Sequence, residues 1–382
     1  MANPFLGLGF NSWTQKFGRS AASALKLVVG AFFQDSYKGA VFIFDVNDLT
    51  TSTKVNCEAD TSTFDSFGIS VAIGNSKIAA GMRGADDAGS GSGSAFVYDL
   101  DGTNEVKLTA SDAAAGDNFG SAVAIGNSKV AVGAKNENAG GTAAGAAYVY
   151  NLDGSGEVKI TASDAAANDE FGFAVAIANN KLYVGAPGDD DDASSSGSVY
   201  IYNLDGSGES KITASDGAAS AKFGSSLAIG HDKLVVGAEG EVGAVYVYDL
   251  DGSNEDKITA SDGASGDKFG YAVAIGSNKI VVGAEGDDDD GSSSGSAYVF
   301  NLDGTGQVKI TASDAAAGDQ FGSAVAVGGD KVYVGASLED NASGTNAGSF
   351  YVYNLDGTGE VKVINPENND TALFGCSMAL GS

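Results

Sequence analysis

Apolar residues along this chain come in short bursts, many of them alternating with small or polar residues, and no burst is long enough for a helix. Residues 119–170 show the pattern. FGSAVAIG is followed by a turn, KVAVGA, a polar loop, GAAYVYNL, a DG turn, GEVKITA and an acidic linker into the next Phe-Gly. This predicts four strands: A (Val123 to Ile125), B (Val130 to Val132), C (Ala147 to Tyr150) and D (Val158 to Ile160). Phe-Gly recurs eight times, at Phe17, Phe67, Phe119, Phe171, Phe223, Phe269, Phe321 and Phe374, with spacings of 50, 52, 52, 52, 46, 52 and 53 residues. Four short strands repeated at that period predict the blades of an all-β propeller.

The eighth unit, FGCSMALGS, holds a single strand. An open ring would expose unpaired strand edges, so this strand is expected to pair within blade 1 and close the circle. Blade 1 has room for it. Its own A segment, Arg19 to Ser23, lacks the Val-x-Ile pattern of the other blades, whereas its B strand, Leu27 to Ala31, is regular. The expected architecture is one seven-bladed β-propeller over residues 17–382, with blades starting near 17, 67, 119, 171, 223, 269 and 321. Residues 374–381 close it, and residues 1–16 form an N-terminal arm.

Runs such as KITASDAAAGDQFGSAVAVGGDKVYVGA (309–336), followed by GSFYVYNL (348–355), resemble the bacterial FG-GAP repeat, a relative of the blades in integrin α-subunit heads. The resemblance extends over residues 16–381 and implies a propeller used for adhesion, carbohydrate or protein recognition, or structural display. One departure matters. Where integrin-like blades carry a calcium loop of spaced aspartates between strands A and B, this chain has four-residue turns such as GNSK (74–77), GHDK (230–233) and GGDK (328–331). That calcium site does not carry over.

Composition adds bounds. The 56 glycines suit many turns, and the Ala-rich A strands suit a crowded axis. The opening MANPFLGLGF lacks a basic segment and a small-residue cleavage site, so a cleavable secretory signal is not expected, and no apolar stretch is long enough for a membrane helix. Cys57, expected on strand D of blade 1, and Cys376, expected on its strand A, would lie three strand spacings of ~4.8 Å apart, beyond the reach of about 7 Å that a disulfide allows.

The formal net charge of −29 is unevenly placed. In antiparallel blades the D-to-A linkers and B-to-C loops emerge on one face of the disc, the A-to-B and C-to-D turns on the other. The linkers and B-to-C loops together hold 32 acidic and 5 basic residues, and everything else holds 18 and 16. One face is therefore expected to carry nearly all the charge, opposite a near-neutral face with lysines such as Lys77, Lys129, Lys159 and Lys211. Such a field repels nucleic acid and anionic membranes and attracts cations or basic partners over roughly 10 Å.

Four features stand out as candidate chemistry. Asp189 to Asp192 in blade 4 and Asp287 to Asp290 in blade 6 set adjacent carboxylates side by side, which hard cations favour. Asp189, Asp191, Asp287 and Asp289 are the candidate calcium ligands, with a solvated acidic loop as the plain alternative. Blade 5 shortens its B-to-C loop to Glu239-Gly240-Glu241-Val242, leaving a notch between these two loops that would suit a ligand, a basic peptide or a subunit. The recurring linker acids, Asp112 with Asp117 and their equivalents, are expected to accept backbone N–H bonds and fix the crossovers, and the Leu-Asp-Gly tripeptides are C-to-D hairpin turns. The arm concentrates Phe5, Leu6, Leu8, Phe10 and Trp13, the composition of an anchor inserted into a partner or of a segment folded back on blade 1.

For catalysis the inventory is thin. The only histidine, His231, is expected in an A-to-B turn on the face opposite the acid clusters, and nearly every carboxylate repeats from blade to blade. The reading is a non-enzymatic recognition or structural propeller with a protein or glycan partner, set on a virion surface or tail. A bacterial extracellular adhesin and a carbohydrate-active propeller are the rivals.

Overall fold

In the computed structural model, residues 25–57, 65–240, 242–367 and 371–382 are described. Seven four-stranded antiparallel sheets are arranged as blades around one axis. In blade 3, strand A is Phe119–Gly126, B is Lys129–Ala134, C is Ala146–Asn151 and D is Val158–Ile160. Each expected strand is present, lengthened at A to include Phe-Gly and at B to include a leading lysine. The A-to-B hairpins turn through two left-handed residues, Asn127 (φ 51°) and Ser128 (φ 58°) in this blade, which matches the twist of the flanking strands. The A strands of neighbouring blades meet and ring the axis.

The repeated Phe-Gly and Gly-Ala dipeptides have a steric cause. A Cβ on Gly133 of strand B would collide with the carbonyl oxygen of Gly172, the glycine of the next Phe-Gly, and a Cβ on Gly120 with the carbonyl oxygen of Ser94 in the preceding blade. Two bare backbones are thus pressed together at the junction. The adjoining Phe119 is fully buried, its N–H donates to the Ser92 carbonyl across the junction at 3.1 Å, and its ring meets Tyr148 and Tyr150 edge-on at 5.3 and 6.2 Å. The core lies between blades: Val97 and Leu108 of blade 2 pack with Phe119, Val132 and Tyr148 of blade 3. Each such side chain stabilises the ring by about 1.5–3 kcal/mol.

The closing strand is Met378–Gly381. It pairs antiparallel with Lys26–Ala31 of blade 1, Lys26 opposite Gly381 and Val29 opposite Met378, as the innermost strand of that sheet. Phe374 enters the core between blades 7 and 1, 5.4 Å from Phe42 and 5.7 Å from Phe350. Arg19 to Ser23 and the arm with Phe5, Leu6, Leu8, Phe10 and Trp13 lie outside the described residues. Cys57 and Cys376 are not joined in a disulfide; they sit just beyond strand D and in the turn before the closing strand, rather than on the strands themselves. No helix among the described residues is long and apolar enough to cross a membrane.

Candidate functional site

The face that carries the linkers and B-to-C loops is threaded by lysines, and here the structure corrects the charge map. Lys159 and Lys211 rise from strand D into the acidic face instead of belonging to the opposite one. Lys159 pairs with Asp112 of the preceding linker at 2.6 Å and with Glu137 of its own B-to-C loop at 2.9 Å, while its ammonium lies 5.7 Å over the Tyr148 ring. Lys54, Lys309 and Lys362 likewise pair with a linker acid and a B-to-C loop acid, whereas Lys107 pairs with Asp87 of its own loop and Lys257 with Asp216 of the linker. These seven lysines bring the loops of that face from a formal −27 to −20. Lys77 and Lys129, by contrast, stay on the opposite face, pairing with Asp99 and Asn151.

In the four linkers that carry the pair, Asp112 with Asp117, Asp164 with Asp169, Asp262 with Asp267 and Asp314 with Asp319, the two aspartates divide the work. The first takes the lysine and the tyrosine of the next blade, as Asp112 accepts from Tyr148 at 2.9 Å. The second turns inward: Asp117, Asp169, Asp267 and Asp319 are buried and accept the N–H of the residue three positions earlier, the local role expected of both. Burial raises the pKa of this second set, against that backbone hydrogen bond. The first set is lowered: burial alone would raise it, but the lysine and tyrosine hydrogen bonds outweigh burial. Further staples join Ser111 to Glu157 and Ser163 to Glu209 across junctions.

The candidate calcium ligands fall into two clusters, Asp164 with Asp189 and Asp191, and Asp262 with Asp287 and Asp289, each offering oxygens within 4.8 Å of one another. A lysine ammonium already bonds all three oxygens. Lys211 lies 2.9, 2.8 and 2.5 Å from its three carboxylates, and Lys309 lies 2.9, 2.8 and 2.6 Å from its own. Burial pulls both ammonium groups down and the carboxylates more than compensate, so both pKa values are raised. A divalent ion at either cluster would have to take the place of that ammonium. Asp190, Asp192, Asp288 and Asp290 point to solvent.

The notch at blade 5 is a pocket of about 230 Å³ lined by Ala218, Ala219, Val242, Tyr246, Asp216 and Lys257, among others. His231 sits in its A-to-B turn on the other face, accepting the Asn278 N–H at 3.3 Å.

The blades also differ at the axial mouth of the acidic face. A cup of about 380 Å³ opens there, lined by residues from all blades but the fifth. Two columns of the repeat supply most of its wall. The residue after Phe-Gly is Ile69, Ser121, Phe173, Ser225, Tyr271, Ser323 and Cys376 in turn. The residue after the Gly-Ala that ends strand B, Gly-Met in blade 2, is Phe32, Arg83, Lys135, Pro187, Glu239, Glu285 and Ser337. Apart from the lysines of strands B and D, the described residues include five cations, Lys38, Arg83, Lys135, Lys222 and Lys268, and four of them gather here. Lys135 lies 4.7 Å over the Phe173 ring and 3.8 Å from Glu170, Lys268 pairs with buried Glu285 at 2.8 Å, and Lys222 pairs with Glu239 at 3.2 Å beside an adjoining pocket that shares Phe173. No carboxylate among the described residues lies within ion-pair reach of Arg83. Burial raises the Glu285 carboxyl, against Lys268, raises the Tyr271 hydroxyl, and lifts the Cys376 thiol to about 11.

Sequence reasoning named none of these cup residues as a site. The signal was present, since stacking the repeats on Phe-Gly exposes two columns whose chemistry changes at nearly every blade, but only the ring brings them to one mouth.

Residues 57–98, 103–150, 155–202, 207–248, 253–300 and 305–353 match the model of the FG-GAP repeat. No curated protein matches the chain. Among solved structures, the crystal structure of the computationally designed Ika8 protein is similar with a TM-score of 0.53 and 16% identity, over 85% of this chain and 81% of that one, a likeness of fold alone.

Proposed function

Because the chain belongs to the FG-GAP repeat family, we propose that it is a recognition module whose ligand-reading surface is the axial cup on the acidic face. The observation that carries this is the break in repetition. Positions that hold the ring together repeat from blade to blade, whereas the cup columns run through Phe, Arg, Lys, Glu, Tyr and Ser. Concave sites with aromatic walls and a few placed polar groups are where ligands settle. Arg83 and Lys135 add positive charge inside an otherwise negative face, so the cup suits a protein or glycan surface group that pairs with cations and stacks on Phe173 and Tyr271.

The setting we propose is extracellular, a virion surface or tail before a bacterial matrix adhesin, with residues 1–16 as the attachment arm. Two comparisons test the reading. Labelled protein should bind a defined target, found on a glycan array or on intact cells, and R83A/K135A should lose that binding by about tenfold or more without a change in melting. Protein lacking residues 2–14 should keep both melting and binding yet fail to join purified particles. Equal binding by wild type and R83A/K135A removes the cup from the reading. Turnover of the bound glycan, for which Glu285 is the acid the cup offers, would replace recognition by catalysis.

A further inference from the structure

We propose that the notch of blade 5 is a docking pocket for a loop of a partner protein that carries one carboxylate at its tip and basic residues beside it. The starting point is the strand D lysine. In blades 1, 3, 4, 6 and 7 that lysine holds two or more carboxylates, one of them, in every case, from the blade's own B-to-C loop: Asp35, Glu137, Asp189, Asp287 and Glu339. Lys257 of blade 5 has only Asp216 of the linker, at 2.5 Å, among the described residues. Its side chain is 39% exposed, against 18–27% for the other six.

The same short loop removes a backbone contact. At the five other described junctions a linker N–H donates to a carbonyl of the preceding B-to-C loop: Gly116 to Ser90, Asn168 to Thr142, Ser220 to Ser194, Gly318 to Ser292 and Thr371 to Thr345. The equivalent N–H, that of Gly266, has no such acceptor among the described residues. In the same linker a Cβ on Gly263 would meet Val242 at 3.5 Å, and Val242 is 46% exposed, one of four exposed large apolar residues among those described. A cation short of a carboxylate, an N–H short of a carbonyl and a wall of alanines with Val242 are together what a B-to-C loop covers elsewhere in this ring.

A polypeptide loop is therefore the occupant, because it alone supplies the carboxylate and the carbonyl at the spacing the other blades use. Charge selects its flanks. Exposed Asp190, Asp192, Asp288 and Asp290 stand on the neighbouring blades, so basic residues beside the tip are favoured and a second copy of this face is repelled.

The probe is a synthetic peptide of residues 135–144, KNENAGGTAA, whose Glu137 faces Lys159 in blade 3 and which carries Lys135 as a basic flank. Titrated into the full-length protein, it should bind saturably, with amide shifts at Val242, Lys257 and Gly266. Replacing its glutamate by glutamine, or using K257M protein, should weaken binding by about tenfold, the value of one charge-assisted hydrogen bond. The peptide-side change keeps the test decisive even if K257M is poorly folded. Glu241 lies outside the described residues, so E241Q is the control. Binding that appears only in E241Q shows that the chain fills its own notch and overturns the proposal, as does no binding, or equal binding of both peptides.

Discussion

Replacing Lys309 by methionine removes the ammonium from a cluster of three carboxylates while keeping the length of the side chain. Asp287 is 2% exposed, so its charge would be left without its counter-ion in a place water hardly reaches. Breaking such a buried pair costs about 3–5 kcal/mol. The lower end applies here, because Asp287 keeps the Tyr298 hydroxyl at 2.9 Å and the Asp289 N–H at 3.2 Å. Asp262 and Asp289, with side chains 37% and 65% exposed, add little, since exposed pairs are worth about 0–1 kcal/mol. The expected loss is about 3 kcal/mol. At roughly 2 °C per kcal/mol for a domain this large, melting should fall by about 6 °C. K257M is the internal comparison: its partner Asp216 is 49% exposed, and a loss under about 1 kcal/mol is expected. Calorimetric melting of both variants in chelator and in millimolar calcium separates the cases. With the ammonium gone, calcium should restore part of the stability of K309M, by ~2.7 kcal/mol at a hundredfold excess over the dissociation constant. Wild type should respond far less. If K309M melts like K257M, or if calcium raises wild type as much as K309M, the ammonium does not balance these carboxylates and the reasoning is wrong.

Two further outcomes follow from the ring and its titrating groups. Deleting residues 372–382 removes buried Ala372, Leu373 and Phe374 and the innermost strand of blade 1; with about 2–5 kcal/mol for each large side chain against a total of about 5–15, the protein should lose its cooperative melt and associate through the exposed edge, and a stable monomer would sink the closure. On pH, Asp112, Asp164 and Asp314 are lowered by their lysine bonds, so their contribution is complete above the ordinary 3.8 and fades as pH falls through it, whereas Lys159 and Lys362, raised by the same bonds against burial, contribute fully below 10.5 and lose it above. Ionised Asp117 and Asp319 are costly where buried, and acid relieves part of that cost. Melting temperature should therefore be nearly flat from about pH 5 to 10, and a main transition between about pH 6 and 8 would contradict the lattice.

Blade number, strand order and closure are legible in the sequence because the residues that set them are rigidly required. Gly133 and Gly172 face each other across a junction with no space for a side chain, and Phe374 is needed at the last junction as Phe119 is at the second, so Phe-Gly and the strand B glycine recur at every period. The lysine lattice is harder to see. Asp112 and Lys159 lie 47 positions apart, and nothing local to either shows that one crossover brings the linker of blade 2 onto the outer strand of blade 3. Lys159 reads as a surface lysine of a strand, which is why its charge is first assigned to the wrong face. The cup escapes for the opposite reason. Arg83, Phe173 and Tyr271 each look like drift in one repeat, and only closing the circle shows that they share a mouth.

The closing strand also decides how the ring would bear load. Lys26 pairs with Gly381 and Val29 with Met378, so the two strands leave their sheet from the same end. A pull applied before Lys26 and after Gly381 would part them one hydrogen bond at a time, in peeling rather than in shear, and the ring would open like a zip at low force. A pull through one end alone never crosses that seam. Tethered by a single terminus, the propeller could be dragged against a surface with its circle intact, while a tether at both ends would make Met378–Gly381 the first part to yield.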